Sequence, residues 1–208
     1  MARIVKKPLQ RRSEILEAAR HLFQTRGYER TTLQDVMNRL GIAKGTIYHY
    51  FKSKEELLEV AVEEMVNRRL EKMEALIQNA KGNALKKMQV LIEMGKEATD
   101  QAALEELHRK GNEAMHTRLL AFTLIREAPL YAKLIEQGCE EGIFHTETPL
   151  ECAEYILSAV QFLTDPGIYP WTKDDLIRRA RALPKIIEQQ LKAPLGSFQF
   201  LEDYFLAG

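Results

Sequence analysis

Lys44, Gly45, Thr46, Tyr48, His49 and Tyr50 fill all but one position of a seven-residue span, and Ile47 takes the remaining one. If the span is helical, Ile47 and Phe51 stand at i and i+4 and share the inward face, which leaves the other six largely outside. Lys, Thr and Tyr can reach phosphates and base edges, and Gly permits close backbone approach. A helix entering the major groove of a duplex uses such a set. A core helix would not turn three aromatic hydrogen-bond formers to solvent. Two rival chemistries fit less well. A phosphate-binding loop needs Gly-Lys-Thr after a strand, and Lys44-Gly45-Thr46 has neither that order nor that context. His49 has no second ligand at i+4, so its imidazole is expected to meet a phosphate or water rather than a metal.

A helix this short is not stable alone and must be clamped by its neighbours. Before it, Thr31-Thr32-Leu33-Gln34-Asp35 opens a helix, with Thr32 and Asp35 at capping-box spacing, and Gly41 ends it where a positive φ costs little. Two short helices joined by a Gly-containing turn form a helix-turn-helix arrangement. Before that pair, Ile15, Leu16, Ala19, Leu22 and Phe23 recur at helical spacing from Arg11, with Ser13 as cap or first-turn residue and Gly27 as the stop. Tyr28 follows as a core plug. After the pair, Ser53-x-x-Glu56 is a second capping box before an apolar pattern that runs from Leu57 to about Asn79, a helix of roughly 35–40 Å.

The 208 residues are 45% hydrophobic, enough for a real core. The apolar runs fall short of the roughly 20 residues a membrane span needs. Met1–Pro8 is basic but lacks the apolar segment of a signal peptide, so a cytoplasmic location is expected. Cys139 and Cys152 are not spaced as a redox or zinc pair and read as buried thiols. The net charge is zero, yet the first 55 residues hold twelve Lys or Arg against five Asp or Glu. A basic end on an acidic body suits attachment to a polyanion, although a solvated basic arm would carry the same charge.

Beyond Gly82, Asn83 caps a helix with Leu85, Met88, Leu91, Ile92 and Met94 apolar. Gln101–Lys110 is weaker and breaks at Gly111-Asn112. Met115, Leu119, Leu120, Phe122 and Ile125 then run to Pro129, which suits a helix restart that carries on to a stop at Gly142. Glu151–Leu163 is apolar on more than one face and is expected to be buried on two sides. Thr172 caps a last long helix, in which Pro184 should kink the helix or free a carbonyl. The tail from Phe198 to Phe205 is aromatic enough to dock. No strand pattern appears, and the fold is expected to be all-α. No nucleophile with a base, carboxylate pair or cofactor motif is evident, so neither an enzyme nor a cofactor is expected. His108 and His116 lie eight apart with Gly111 between them, and no metal site is expected there.

Taken together, Ile15-Leu16-x-x-Ala19-x-x-Leu22-Phe23, Arg26-Gly27-Tyr28, Thr31-Thr32, Gly41 to Phe51 and Lys54-Glu55-Glu56-Leu57-Leu58 resemble the TetR family of transcriptional regulators. The resemblance covers Arg11 to about Leu58. Residues 1–10, which show no periodicity, are expected to form a flexible basic arm; the resemblance implies a three-helix DNA-binding head over 11–54 and a helical effector-binding and dimerisation domain over 55–208. It further implies a homodimer on a palindromic double-stranded operator, paired through helices near 151–164 and 173–192. Thr31 or Thr32 and Lys54 would hold phosphates. Lys44, Gly45 and Thr46 would read or approach base edges, and Tyr48, His49 and Tyr50 would touch backbone or thymine methyls. Met88, Met115, His116, Phe122, Tyr155 and Phe162 are candidates to line a pocket for a small apolar or amphipathic effector that releases a repressor from DNA. The alternative is a regulator whose body serves a protein partner, with no small-molecule inducer.

Overall fold

Helix α1 opens at Pro8 and runs to Arg26, three residues earlier than the apolar pattern from Arg11 suggests. Proline suits a first helical position because its missing N–H has no intrahelical partner there. Ser13 therefore lies inside the helix. The computed structural model describes residues 8–97, 108 and 112–206; the arm expected over 1–10 lies outside them up to residue 7, as does most of the weak stretch Gln101–Lys110. Among the described residues there are nine helices and no strand.

These residues fall into two compact units, one within Met1–Val66 and Gln101–Leu119, the other within Asn67–Asp100 and Leu120–Gly208. In the first unit, α1 packs its Ile15, Leu16, Ala19, Leu22 and Phe23 inward. Gly27 follows at φ +86°, and Tyr28 is buried with its ring edge-on to Phe23, centroids 5.2 Å apart. Helices α2 (Leu33–Leu40) and α3 (Lys44–Tyr50) come next, joined through Gly41 at φ +62°. Helix α4 (Lys54–Asn79) starts in this unit with Leu57 and Leu58 buried. Three helices and the first turns of a fourth thus enclose one small core.

The second unit holds the rest of α4, with α5 (Ala84–Glu97), most of α6 (Glu113–Glu140), α7 (Pro149–Thr164), α8 (Lys173–Leu191) and α9 (Phe200–Leu206). Asn83 and Thr172 cap as their sequence positions indicate: the Asn83 side chain accepts the Lys86 amide at 3.0 Å, and the Thr172 hydroxyl accepts the Asp175 amide at 3.1 Å. Gly142 at φ +72° ends α6, and the Ile143 amide folds back to the Gly138 carbonyl at 2.8 Å. The tail docks where the sequence named no partner. Phe198 is buried and stacks on Phe144, centroids 5.9 Å apart, while Glu188 accepts the Phe198 amide at 3.0 Å.

One expectation for this unit fails. Helix α6 runs unbroken through Pro129 rather than restarting there. The proline deprives the Ile125 carbonyl of its helical donor, but Ile125 is 65% exposed, so water can take that place. Helix α7 is buried along one side among the described residues. Cys152 and Ala153 are buried, whereas Tyr155 and Phe162 are 60% and 57% exposed.

Candidate nucleic-acid interface

Local sequence fixes where α2 begins. Thr32 is extended, its hydroxyl accepts the Asp35 amide at 3.2 Å, and the Asp35 carboxylate accepts the Thr32 amide at 2.8 Å. The same carboxylate accepts the Thr32 hydroxyl at 2.6 Å. These Thr32 hydrogen bonds, helped by Arg26, hold the Asp35 carboxyl below the usual aspartate range. The start of α4 is a variant of the same device. Ser53 accepts the Glu56 amide at 3.1 Å, but the Glu56 carboxylate reaches back to the Lys52 amide at 2.6 Å, one residue beyond the usual partner.

Between these two capped starts lies α3. Ile47 and Phe51 are fully buried and pin it, with the Arg12 guanidinium 5.4 Å over the Phe51 ring. Lys44, Gly45, Tyr48 and His49 are exposed, and Thr46 and Tyr50 are half-buried. The Lys44 ammonium lies 5.7 Å over the Tyr48 ring, and His49 meets Tyr50 edge-on at 4.9 Å. Gly45 has open space where a Cβ would point, so nothing among the described residues requires glycine there.

Alongside α3 is an open groove of about 540 Å³, with Thr32, Gln34, Lys44, Tyr48, Lys52 and Lys54 in its wall. Three lysines and the amino end of α2 thus line one depression with a single acidic residue, Glu29, a balance that favours an anion. Lys54 is already held: its Nζ donates to the Tyr28 carbonyl at 3.1 Å and sits 4.1 Å over the Tyr28 ring. At α4's first turn, Glu55 accepts hydrogen bonds from its own amide and from Ser53, which lower its carboxyl below the usual range.

Thr31 departs from expectation. Its side chain is fully buried, and its hydroxyl donates to the Gly27 carbonyl at 2.9 Å and lies 3.3 Å from that of Leu22. Thr31 is thus turned inward onto the α1 carboxyl end, and of the two threonines Thr32 alone is exposed.

The candidate effector residues are divided between the two units. Met115 and buried His116 lie in the first unit, where His116 and His108 approach to 4.9 Å between ring centroids. Met88 and Phe122 lie in the second, Met88 buried and Phe122 half-buried. Tyr155 and Phe162 stand on the exposed face of α7. Sequence reasoning missed Asn112 altogether. It is fully buried, and its Oδ1 accepts the Tyr28 amide at 2.6 Å across 84 positions of chain. Nothing local in Gly111-Asn112, which reads as a helix break, signals that contact.

Two family profiles match the chain. One, described as bacterial regulatory proteins of the tetR family, matches residues 15–61; the other, described as a tetracyclin repressor-like C-terminal domain, matches residues 96–186. The HTH-type transcriptional repressor KstR2 of Mycolicibacterium smegmatis is 38% identical over 60 residues, 29% of each chain. The uncharacterized HTH-type transcriptional regulator YfiR of Bacillus subtilis is 39% identical over 64 residues, 31% of each. The chain thus spans under a third of the length of these curated relatives. Among solved structures, the fatty acid degradation regulator FadR of Bacillus halodurans has a TM-score of 0.60 at 18% identity, covering 97% of this chain and 95% of that one. A TetR/AcrR-family regulator of Thermobifida fusca has a TM-score of 0.56 at 22% identity, covering 95% of both. At those identities the structural likeness speaks for the fold.

Proposed function

Because this chain belongs to the TetR family of bacterial regulatory proteins, we propose that it is a DNA-binding transcriptional regulator, a repressor whose α3 enters the major groove, and not an enzyme. The observation that carries this reading is the division of α3 into two buried apolar residues, Ile47 and Phe51, and an outward set of Lys44, Gly45, Thr46, Tyr48 and His49. Lys44 and Thr46 reach base edges, Gly45 lets the backbone approach, and Tyr48, His49 and Tyr50 touch backbone or thymine methyls. Thr32 and Lys54, both in the wall of the groove, hold phosphates.

The regulator works as a homodimer. Support comes from α7 and α8, where Leu150, Tyr155, Phe162 and Ile186 are each at least 40% exposed. Large apolar side chains gathered on neighbouring helices mark an interaction face, and a symmetric pair covers that face with itself. Two heads then meet successive major grooves with half-sites about 34–36 Å apart, which calls for a palindromic operator. A small apolar or amphipathic effector in the body favours a state whose heads no longer match that spacing. Affinity then falls by the difference in effector binding between the two states. Among the described helices none is long and apolar enough to cross a membrane, in keeping with a protein that works on DNA in the cytoplasm.

Selection of duplexes from a random pool by the full-length protein tests this reading. The expected product is a palindrome protected in both half-sites by footprinting, and released on addition of an apolar compound from a screened set. Recovery of no common sequence would refute sequence-specific regulation. Recovery of a palindrome that no compound releases would favour the reading in which the body serves a protein partner.

A further inference from the structure

We propose that Asn112 is a positioning residue for DNA binding: by accepting the Tyr28 amide, it fixes the turn that holds the Lys54 ammonium at the edge of the groove. The proposal rests on the reading of Lys54 as a phosphate contact.

Asn112 immediately precedes α6, and its carbonyl accepts the His116 amide at 2.8 Å, so it occupies that helix's cap position. Asparagine is favoured at such a position because its side-chain oxygen can accept an amide of the first turn. Here the same oxygen lies 2.6 Å from the amide of Tyr28, a residue of the turn after α1. The side chain is fully buried, and a buried carboxamide destabilises unless it is hydrogen-bonded, so its placement is specific rather than incidental.

Tyr28 passes that constraint on. Its carbonyl accepts both the Thr31 amide at 3.1 Å and Lys54 Nζ at 3.1 Å, and its ring lies 4.1 Å beneath the same ammonium. Lysine ordinarily loses considerable rotamer freedom when it is fixed on a phosphate. An ammonium already held by a carbonyl and a ring face has lost much of that freedom beforehand and keeps two N–H donors for the anion. The grip of Lys54 therefore depends on where Tyr28 sits, and Tyr28 is tied to the start of α6. A second tie lies close by, since Arg118 on α6 pairs with Glu59 on α4.

The test is a double-mutant cycle on the full-length protein, read as affinity for a selected duplex at several salt concentrations. Lys54→Ala should lower the slope of log affinity against log salt by about one unit and cost roughly tenfold in affinity at 0.1 M salt. Asn112→Leu, close in size but lacking the acceptor, should reproduce both effects. Combined with Lys54→Ala it should add little, because the two act through one contact. Asn112→Asp, which keeps the acceptor, should restore the wild-type slope. Helical circular dichroism checks that each variant is folded, and hydrogen exchange at the Tyr28 amide should quicken in Asn112→Leu even if that variant is too unstable for binding work. A wild-type slope in Asn112→Leu beside a reduced one in Lys54→Ala overturns the positioning role alone, as does unchanged Tyr28 exchange. A wild-type slope in Lys54→Ala overturns the phosphate reading and this proposal with it.

Discussion

At the scale of single residues, Gly45 separates what the fold needs from what DNA needs. It sits in the first turn of a helix with open space at its Cβ position, so alanine there meets no clash. Alanine also favours a helix over glycine by up to about 1 kcal/mol. Gly45→Ala should therefore leave thermal stability unchanged or slightly raised while weakening binding to a selected duplex by tenfold or more, because the added methyl stands between backbone and base edge. Melting curves and titrations on the same preparations check both halves. Equal affinity for the two proteins would mean that α3 does not approach the bases at this point. Thr31 marks the opposite case. Sequence alone treats it as interchangeable with Thr32, since both are short hydroxyl residues at the start of a helix. Their roles differ because one rotates onto the α1 carboxyl end and the other onto the α2 amino end.

At the scale of elements, the local devices were the legible ones. The Thr32–Asp35 box, the Gly41 turn and the Asn83 and Thr172 caps depend on residues three or four apart, and all form as their spacing indicates. What escaped depends on distant surroundings. Passage of α6 through Pro129 is permitted by exposure at Ile125, and the Asn112–Tyr28 bond joins residues 84 apart. The α2 cap carries a pH signature. Hydrogen bonds from Thr32 hold the folded Asp35 carboxyl below its ordinary value. A group with a depressed folded pKa contributes stability that is present above the unfolded pKa and lost as pH falls through the folded one. Thr32→Ala should cost about 1 kcal/mol near neutral pH. The deficit should shrink as the solution is acidified below the ordinary aspartate range, because the wild type then loses the bond from the Thr32 hydroxyl to the Asp35 carboxylate. Denaturant melts across that range check it, and a deficit constant down to strongly acid pH would contradict this origin.

At the scale of the whole molecule, the proposed homodimer rests on the exposed apolar residues of α7 and α8. Sequence reasoning expected α7 to be buried on two sides, and within one chain it is covered on one. In the proposed dimer a second copy would supply the other cover, because a symmetric interface brings the same helix from each chain. Phe162→Asp should then convert a dimer into a folded monomer by sedimentation equilibrium at micromolar concentration, and it should abolish binding to a two-half-site duplex while leaving the head intact. A wild-type protein already monomeric under those conditions would remove the dimer from the account.

The central claim is that the outward face of α3 reads DNA sequence, and the most direct measurement is the affinity of Lys44→Ala and Tyr48→Ala for the selected palindrome and for an unrelated duplex of equal length. Both variants should lose affinity for the palindrome by about 1–3 kcal/mol while losing much less for the unrelated duplex, so that the ratio between the two collapses. If both bind the palindrome as the wild type does, α3 is not the reading element.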